Sequence, residues 1–313
     1  MEIVLTYLPK PGYLKRMQLY WAKMFPLPKA LLTAVLQYVS FTWMLCRIHH
    51  VRLFLLSPFT LVGIWTIFAF LTILRLMDEL KDKEIDRALF RDRPVPSGRV
   101  LESDISFSLM TMIALVLLAN LWAGRVFFAA AALLCYALLM FKYFFIPNVL
   151  RKYLLLNLAT HNPFTALVFL YVTVLFSAQY LLSLHQIDWS SVLLVILMFW
   201  AMVFAWEISR KIRSREEEND YVTYSQLLGR VGSVITAAGA QTLTFLLALH
   251  FYHFYSLSRA FAVILVIGYA ATMFGHVRFI VRPSFKTSQL KPFAERYILC
   301  VLLSFVVDLI LSI

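Results

Sequence analysis

The sequence predicts an all-α, multi-pass membrane bundle of about nine transmembrane helices. Two observations carry that reading. Of 313 residues, 61% are hydrophobic and 15% are charged, against roughly 25% charged in ordinary soluble domains. The apolar residues also gather into repeated runs near the length of a bilayer span, and no soluble domain fits between them.

The elements follow in chain order. Met1 to Leu8 is a short apolar patch ended by Pro9 and is not expected to be a cleavable signal. Tyr13 to Phe25 is basic and amphipathic and is expected to lie on the membrane surface. The spans are expected at Ala30–Cys46, Phe54–Met77, Ile105–Trp122, Val126–Phe145, Leu154–Phe176, Val192–Glu207, Val231–Tyr255, Ala260–His276 and Tyr297–Ile313. The fifth contains His161, Asn162 and Pro163, a weak point for a helix. We read residues 1–313 as a single domain, with an interfacial arm over 1–28 and charged loops over 78–103 and 208–230.

Charge sets the expected orientation. All but four of the 29 Lys and Arg fall in the N-terminal arm or near the loops after spans 2, 4, 6 and 8. The exceptions are Arg47, Arg52, Arg125 and Arg259. That asymmetry predicts a cytoplasmic N-terminus and motif loops, with the C-terminus on the opposite side. The net charge of +12 is then a leaflet-facing excess. No nucleic-acid partner is expected, because no basic stretch is both long and outside the membrane. Cys46, Cys135 and Cys300 lie in or beside apolar runs without metal-type spacing, so they read as packing.

The first charged loop, Arg75 to Arg99, reads RLMDELKDKEIDRALFRDRPVPSGR. On a helix at about 100° per residue, Asp78, Glu79, Asp82 and Asp86 fall within one arc of about 100°, and Arg75 lies inside it. Four carboxylates sharing one face at the end of a span repel one another unless a cation joins them. Mg²⁺ suits such oxygens, because it is commonly held by a few carboxylates together with substrate phosphates. The plainer reading is a solvated helix end with local ion pairs.

These residues resemble the first signature of the UbiA superfamily of intramembrane prenyltransferases, Asn-Asp-x-x-Asp-x-x-x-Asp followed by Arg-Pro-x-Pro-x-Gly. The matching positions are Asp78, Glu79, Asp82 and Asp86, then Arg93, Pro94, Pro96 and Gly98. Asp78 stands where the family usually has Asn, and Glu79 where it usually has Asp. The resemblance implies a second acidic motif after the sixth span. Here that maps onto Glu207 and Lys211, so a base replaces the second acid. It also implies Mg²⁺ on Asp78, Glu79, Asp82, Asp86 and Glu207, with Asp78, Asp82, Asp86 and Glu207 in the catalytic roles.

Arg75, Lys142, Arg210 and Lys211 are the candidate diphosphate contacts, since Arg and Lys recognise phosphate well. Lys142 could equally snorkel to the surface, and the RKIRSR run could be only a basic anchor. Tyr224, Gly229, Lys142 and the His161–Pro163 step resemble a less-studied branch of the superfamily. His161 reads either as a partner for backbone freed by Pro163 or as a base.

The implied fold is a helical bundle around a lipid-facing cavity, capped by the two charged loops. The implied activity is ionisation of a prenyl diphosphate and transfer of the prenyl group to an aromatic or other small-molecule acceptor. A terpene cyclase shares the ionisation step. A transporter or lipid-binding protein would instead need acids at mid-membrane. No motif for nucleophilic catalysis, zinc or a dinucleotide is present.

Overall fold

The computed structural model describes residues 11–218 and 222–312, so the readings made for Met1–Leu8 and for 219–221 lie outside the described residues. Among the described residues the regular structure is entirely helical. Helix α1 (Tyr13–Met24) is the surface helix of the arm, and α2 (Leu27–His49) and α3 (Pro58–Lys81) follow it. Ser57 accepts from Thr60 N and Pro58 occupies the first turn, so α3 starts with a proper cap. A short α4 (Lys83–Leu89) extends beyond it, then come α5 (Glu102–Leu121) and α6 (Val126–Phe141). The rest of the bundle is α7 (Pro147–Lys152), α8 (Leu154–His161), α9 (Pro163–Gln179), α10 (Trp189–Ser209), α11 (Tyr224–Phe254), α12 (Arg259–Val281) and α13 (Lys291–Ser312).

Every expected span overlaps a helix, and among the described residues seven helical stretches are long and apolar enough to cross a membrane. The multi-pass helical bundle therefore stands, with seven such spans where nine were expected. One of the two that fall short is α6, with only 16 residues, below the roughly 20 a bilayer asks for. It stops because Tyr143, Phe144 and Phe145 all adopt positive φ. The other is α13, 22 residues long, whose Lys291, Glu295, Arg296 and Asp308 dilute its apolar character. The fifth span is a helix pair, α8 and α9, joined at Asn162 with Pro163 opening α9. Proline removes a backbone donor there, which breaks the ladder.

The exterior matches a lipid solvent. Leu118, Phe128, Ile267 and Phe274 are each more than 60% exposed, a density of outward apolar side chains rare on soluble monomers. Inside, the rings of Phe41, Phe169 and Phe199 lie 4.7–5.4 Å apart and tie α2, α9 and α10 together. Several buried polar groups are partnered across helices. Asn120 Nδ2 donates to Thr66 Oγ1 at 2.9 Å, and Tyr171 donates to Asn120 Oδ1 at 2.7 Å. Asp308 accepts from Trp43 Nε1 at 2.8 Å and from the N–H of Ser258 at 2.5 Å, the residue whose side chain caps α12.

Contacts between distant segments sort the loops to two ends. At one end Tyr20 of α1 meets Glu79, Lys81 meets the carbonyl of Met140, and Ser288 donates to Glu217. At the other, Arg47 meets the carbonyl of Tyr255 and Tyr180 meets that of Arg52. The arm and the segments after α3, α6, α10 and α12 thus share the first end.

Candidate diphosphate site

The carboxyl end of α3 brings the first acids into place. The expectation of one uniform acidic face is corrected here. The helix bends at Asp82, whose ψ of 10° ends α3 and starts α4, although Asp82 N still bonds Asp78 O and Asp86 N bonds Asp82 O, both at 2.9 Å. The four acids divide into two pairs with different surroundings.

Glu79 and Asp86 are turned into the protein and neutralised. Glu79 is 3% exposed and Asp86 6%. Arg75 Nη2 donates to Glu79 Oε2 at 2.5 Å, and Tyr20 Oη donates to the same oxygen at 3.2 Å. Arg93 Nη1 donates to both Asp86 oxygens at 2.8 Å, while its guanidinium lies 3.9 Å from the centre of the Phe90 ring. The Arg-Pro-x-Pro-x-Gly stretch folds back to supply that partner. Gly98, at φ +73°, permits the turn. Unpaired buried charges would be costly, and these two are paired.

Asp78 and Asp82 stay open. Asp78 is exposed, Asp82 is partly exposed, and among the described residues neither has an ion-pair or side-chain hydrogen-bond partner. Burial raises the Asp82 carboxyl above its ordinary value. Lys81 opposes that rise, Asp86 adds to it, and Lys211 and Arg75 oppose it further. Asp78 lies within charge–charge reach of Lys81, of Arg75 and, from the far end of α10, of Arg210.

The carboxyl end of α10 brings the second set. Arg210 Nε and Nη2 donate to the two Glu207 oxygens at 2.5 and 2.9 Å, and Lys211 Nζ lies 3.6 Å from Glu207 Oε1. Tyr224 N donates to the Lys211 carbonyl at 3.2 Å, so the start of α11 closes the loop onto α10. Gly229, at φ +71°, makes the turn from which α11 continues.

Sequence reasoning missed two bases as site residues. Lys81 Nζ sits 2.9 Å from His161 Nε2, 3.2 Å from the Met140 carbonyl and 3.8 Å from the centre of the Tyr143 ring. The Arg151 guanidinium lies over the same ring at 5.0 Å. The missed signal was helical phase, because Lys81 falls about 60° from Asp78 on the side away from Glu79. Lys142 is exposed and lies against its neighbour Phe141 at 5.3 Å, so Lys81 and Arg151 are the bases beside the open acids.

The five expected metal ligands are not gathered around one point. Among the described residues no three His, Cys, Asp or Glu side chains come close enough to hold one ion. Glu79, Asp86 and Glu207 are each paired with an arginine. Asp78 and Asp82, one turn apart and unpaired, fit the sparser arrangement in which Mg²⁺ takes one or two carboxylates and completes its shell with water and substrate phosphate.

This helical bundle, with two charged helix ends at the same end, has a fold found in solved structures. An apo structure of a UbiA homologue from Aeropyrum pernix K1 matches with a TM-score of 0.69 and 14% identity, over 91% of this chain and 98% of that one. A structure of digeranylgeranylglyceryl phosphate synthase matches with a TM-score of 0.65 and 16% identity, over 95% and 99%. At these identities the likeness is one of fold. No protein-family model matches the sequence, and no curated protein matches it.

Proposed function

We propose that this chain is a membrane-embedded enzyme that ionises a prenyl diphosphate and transfers the prenyl group to an acceptor. One observation carries the reading. The open carboxylates of α3 lie within charge reach of the basic end of α10, on a fold shared with UbiA-type proteins.

Asp78 and Asp82 would hold Mg²⁺, which when bound supplies a Lewis acid for the leaving diphosphate. Lys81, Arg151, Arg210 and Lys211 meet the phosphate oxygens and stabilise the charge that grows as the C–O bond breaks. Glu207 positions Arg210 and Lys211 by pairing with both. The apolar helices keep water from the allylic cation until the acceptor, an aromatic or other small molecule, attacks it. The basic end faces the cytoplasm, as its excess of Lys and Arg favours.

The test is a product screen by mass spectrometry. Purified protein with Mg²⁺ is given farnesyl or geranylgeranyl diphosphate, with and without aromatic acceptors. A prenylated acceptor supports transfer. A cyclic hydrocarbon or alcohol formed without acceptor replaces transfer by cyclisation. Unchanged substrate throughout rejects the enzymatic reading.

A further inference from the structure

Bases lie among the open acids of the candidate site. Glu79 with Arg75 and Asp86 with Arg93 are closed pairs. Among the described residues, Asp78, Asp82 and Glu207 then lie near Lys81, Arg151, Arg210 and Lys211.

Lys81 is the base most firmly held. His161 Nδ1 lies 2.9 Å from the carbonyl of Asn157. A carbonyl only accepts, so Nδ1 carries the hydrogen and Nε2 presents its lone pair to the ammonium. A second ammonium hydrogen goes to the Met140 carbonyl, and the Tyr143 ring face takes part of the positive charge. None of these three partners is an anion, and the acids within charge reach of Lys81 are Asp78 and Asp82. The third N–H has no oxygen or nitrogen partner among the described residues.

The holding partners are themselves fixed by unusual backbone. Tyr143 sits at φ +50° in a run of three positive φ values, a conformation seldom adopted by residues other than glycine. His161 ends α8 at the break made by Pro163. Two interruptions of otherwise regular helices thus converge on one ammonium group beside Asp78 and Asp82.

We infer that Lys81 is a built-in cation of the diphosphate site, giving this chain an affinity for diphosphate that persists without Mg²⁺. The inference rests on the proposed diphosphate reading and goes beyond it by assigning part of the metal's charge to a side chain. His161 is the positioning residue, since it aims Lys81 without carrying charge of its own to the ligand.

The test is titration of inorganic pyrophosphate into the full chain in lipid nanodiscs by calorimetry, once with Mg²⁺ and once with EDTA. Wild type is expected to bind in both. Lys81→Gln is expected to lose about ten-fold or more in EDTA, the worth of one charge-assisted contact, and markedly less with Mg²⁺. Lys81→Arg restores binding in EDTA, and His161→Ala loses part of it with the charge intact. Binding by wild type only when Mg²⁺ is present overturns the inference and leaves the diphosphate reading standing. Equal binding by Lys81→Gln and wild type in EDTA overturns it as well. No binding in either condition removes the diphosphate reading itself. Should Lys81→Gln fail to fold, wild type in EDTA and His161→Ala still decide.

Discussion

At the scale of single residues, the candidate site is a sorting of acids by their partners. Tyr20, 59 residues from Glu79 in sequence, is needed to hold Glu79 inward, and Arg93 does the same for Asp86. Another sorted acid is Glu217, which ties the loop after α10 to the segment before α13. It accepts from Ser214 N and Oγ at 2.9 Å and from Ser288 Oγ. Burial pushes its carboxyl up, but the bonds from Ser288 and Ser214 and the nearby Arg213 outweigh that and leave it below its ordinary value. A depressed carboxyl stabilises the fold above its unfolded pKa, about 4.3, and loses that contribution as pH falls through the folded value. Wild type should therefore exceed Glu217→Ala in unfolding stability by about 1 kcal/mol at pH 7. The gap should close on acidification below about pH 4, and a gap unchanged down to pH 3 would contradict this account. The sequence contains all these residues, but helical phase alone groups Asp78, Glu79, Asp82 and Asp86 as equals. Which of them remain open is settled by tertiary partners that periodicity does not register.

At the scale of elements, most of the bundle was legible because long apolar runs leave the chain little choice in lipid. The ends were less so. Predicted span 2 stopped at Met77, whereas α3 runs on to Lys81 and carries Asp78 and Glu79 within it. Hydropathy drops at the first charge, but backbone hydrogen bonding does not. Predicted span 4 ran to Phe145, whereas α6 stops at Phe141 because the backbone turns left-handed in an aromatic stretch that gives no turn signal. Packing between elements also depends on small residues that hydropathy ignores. A Cβ at Gly63 of α3 would lie 2.1 Å from Tyr38 Cε2 and 2.7 Å from Leu175 Cδ2, so α2 and α9 close on that glycine. Gly63→Ala should destabilise the bundle by about 1–3 kcal/mol, the usual range for overpacking. Gly239→Ala, where a Cβ meets nothing within 4 Å, should cost less than about 0.5 kcal/mol. Denaturant unfolding of the two variants side by side measures the difference, and equal stability would show that α2 and α9 do not close on Gly63.

At the scale of the whole molecule, the chain folds its basic segments to one end. Helix α1 lies there too, fastened by Arg16 to both Asp104 oxygens at 2.6 Å and by Tyr13 to Ser108 at 2.9 Å. Single cysteines at the exposed positions Arg91 and Arg215, in a background lacking Cys46, Cys135 and Cys300, should react with an impermeant maleimide from the cytoplasmic side. One at exposed Arg125 should react only from the other side. Labelling of Arg91 and Arg215 positions from opposite sides would break the fold's two-ended arrangement, and a full reversal would overturn the orientation alone. The low identity to proteins of the same fold, 14–16%, fits this picture, since an apolar bundle tolerates exchange of one apolar side chain for another. The proposed chemistry lies around the ends of α3 and α10, with Arg151 of α7 beside them.

The most direct measurement is release of inorganic pyrophosphate from an allylic diphosphate by the purified chain in nanodiscs. It compares wild type with Asp78→Ala and Asp82→Ala, each shown by size-exclusion profile to be folded. Both substitutions should lower the rate on the order of a hundred-fold, the scale of losing one preorganised stabilising group, while Lys142→Gln stays within about two-fold of wild type. Release undiminished in both aspartate variants would contradict the claim that the open carboxylates of α3 serve the leaving diphosphate.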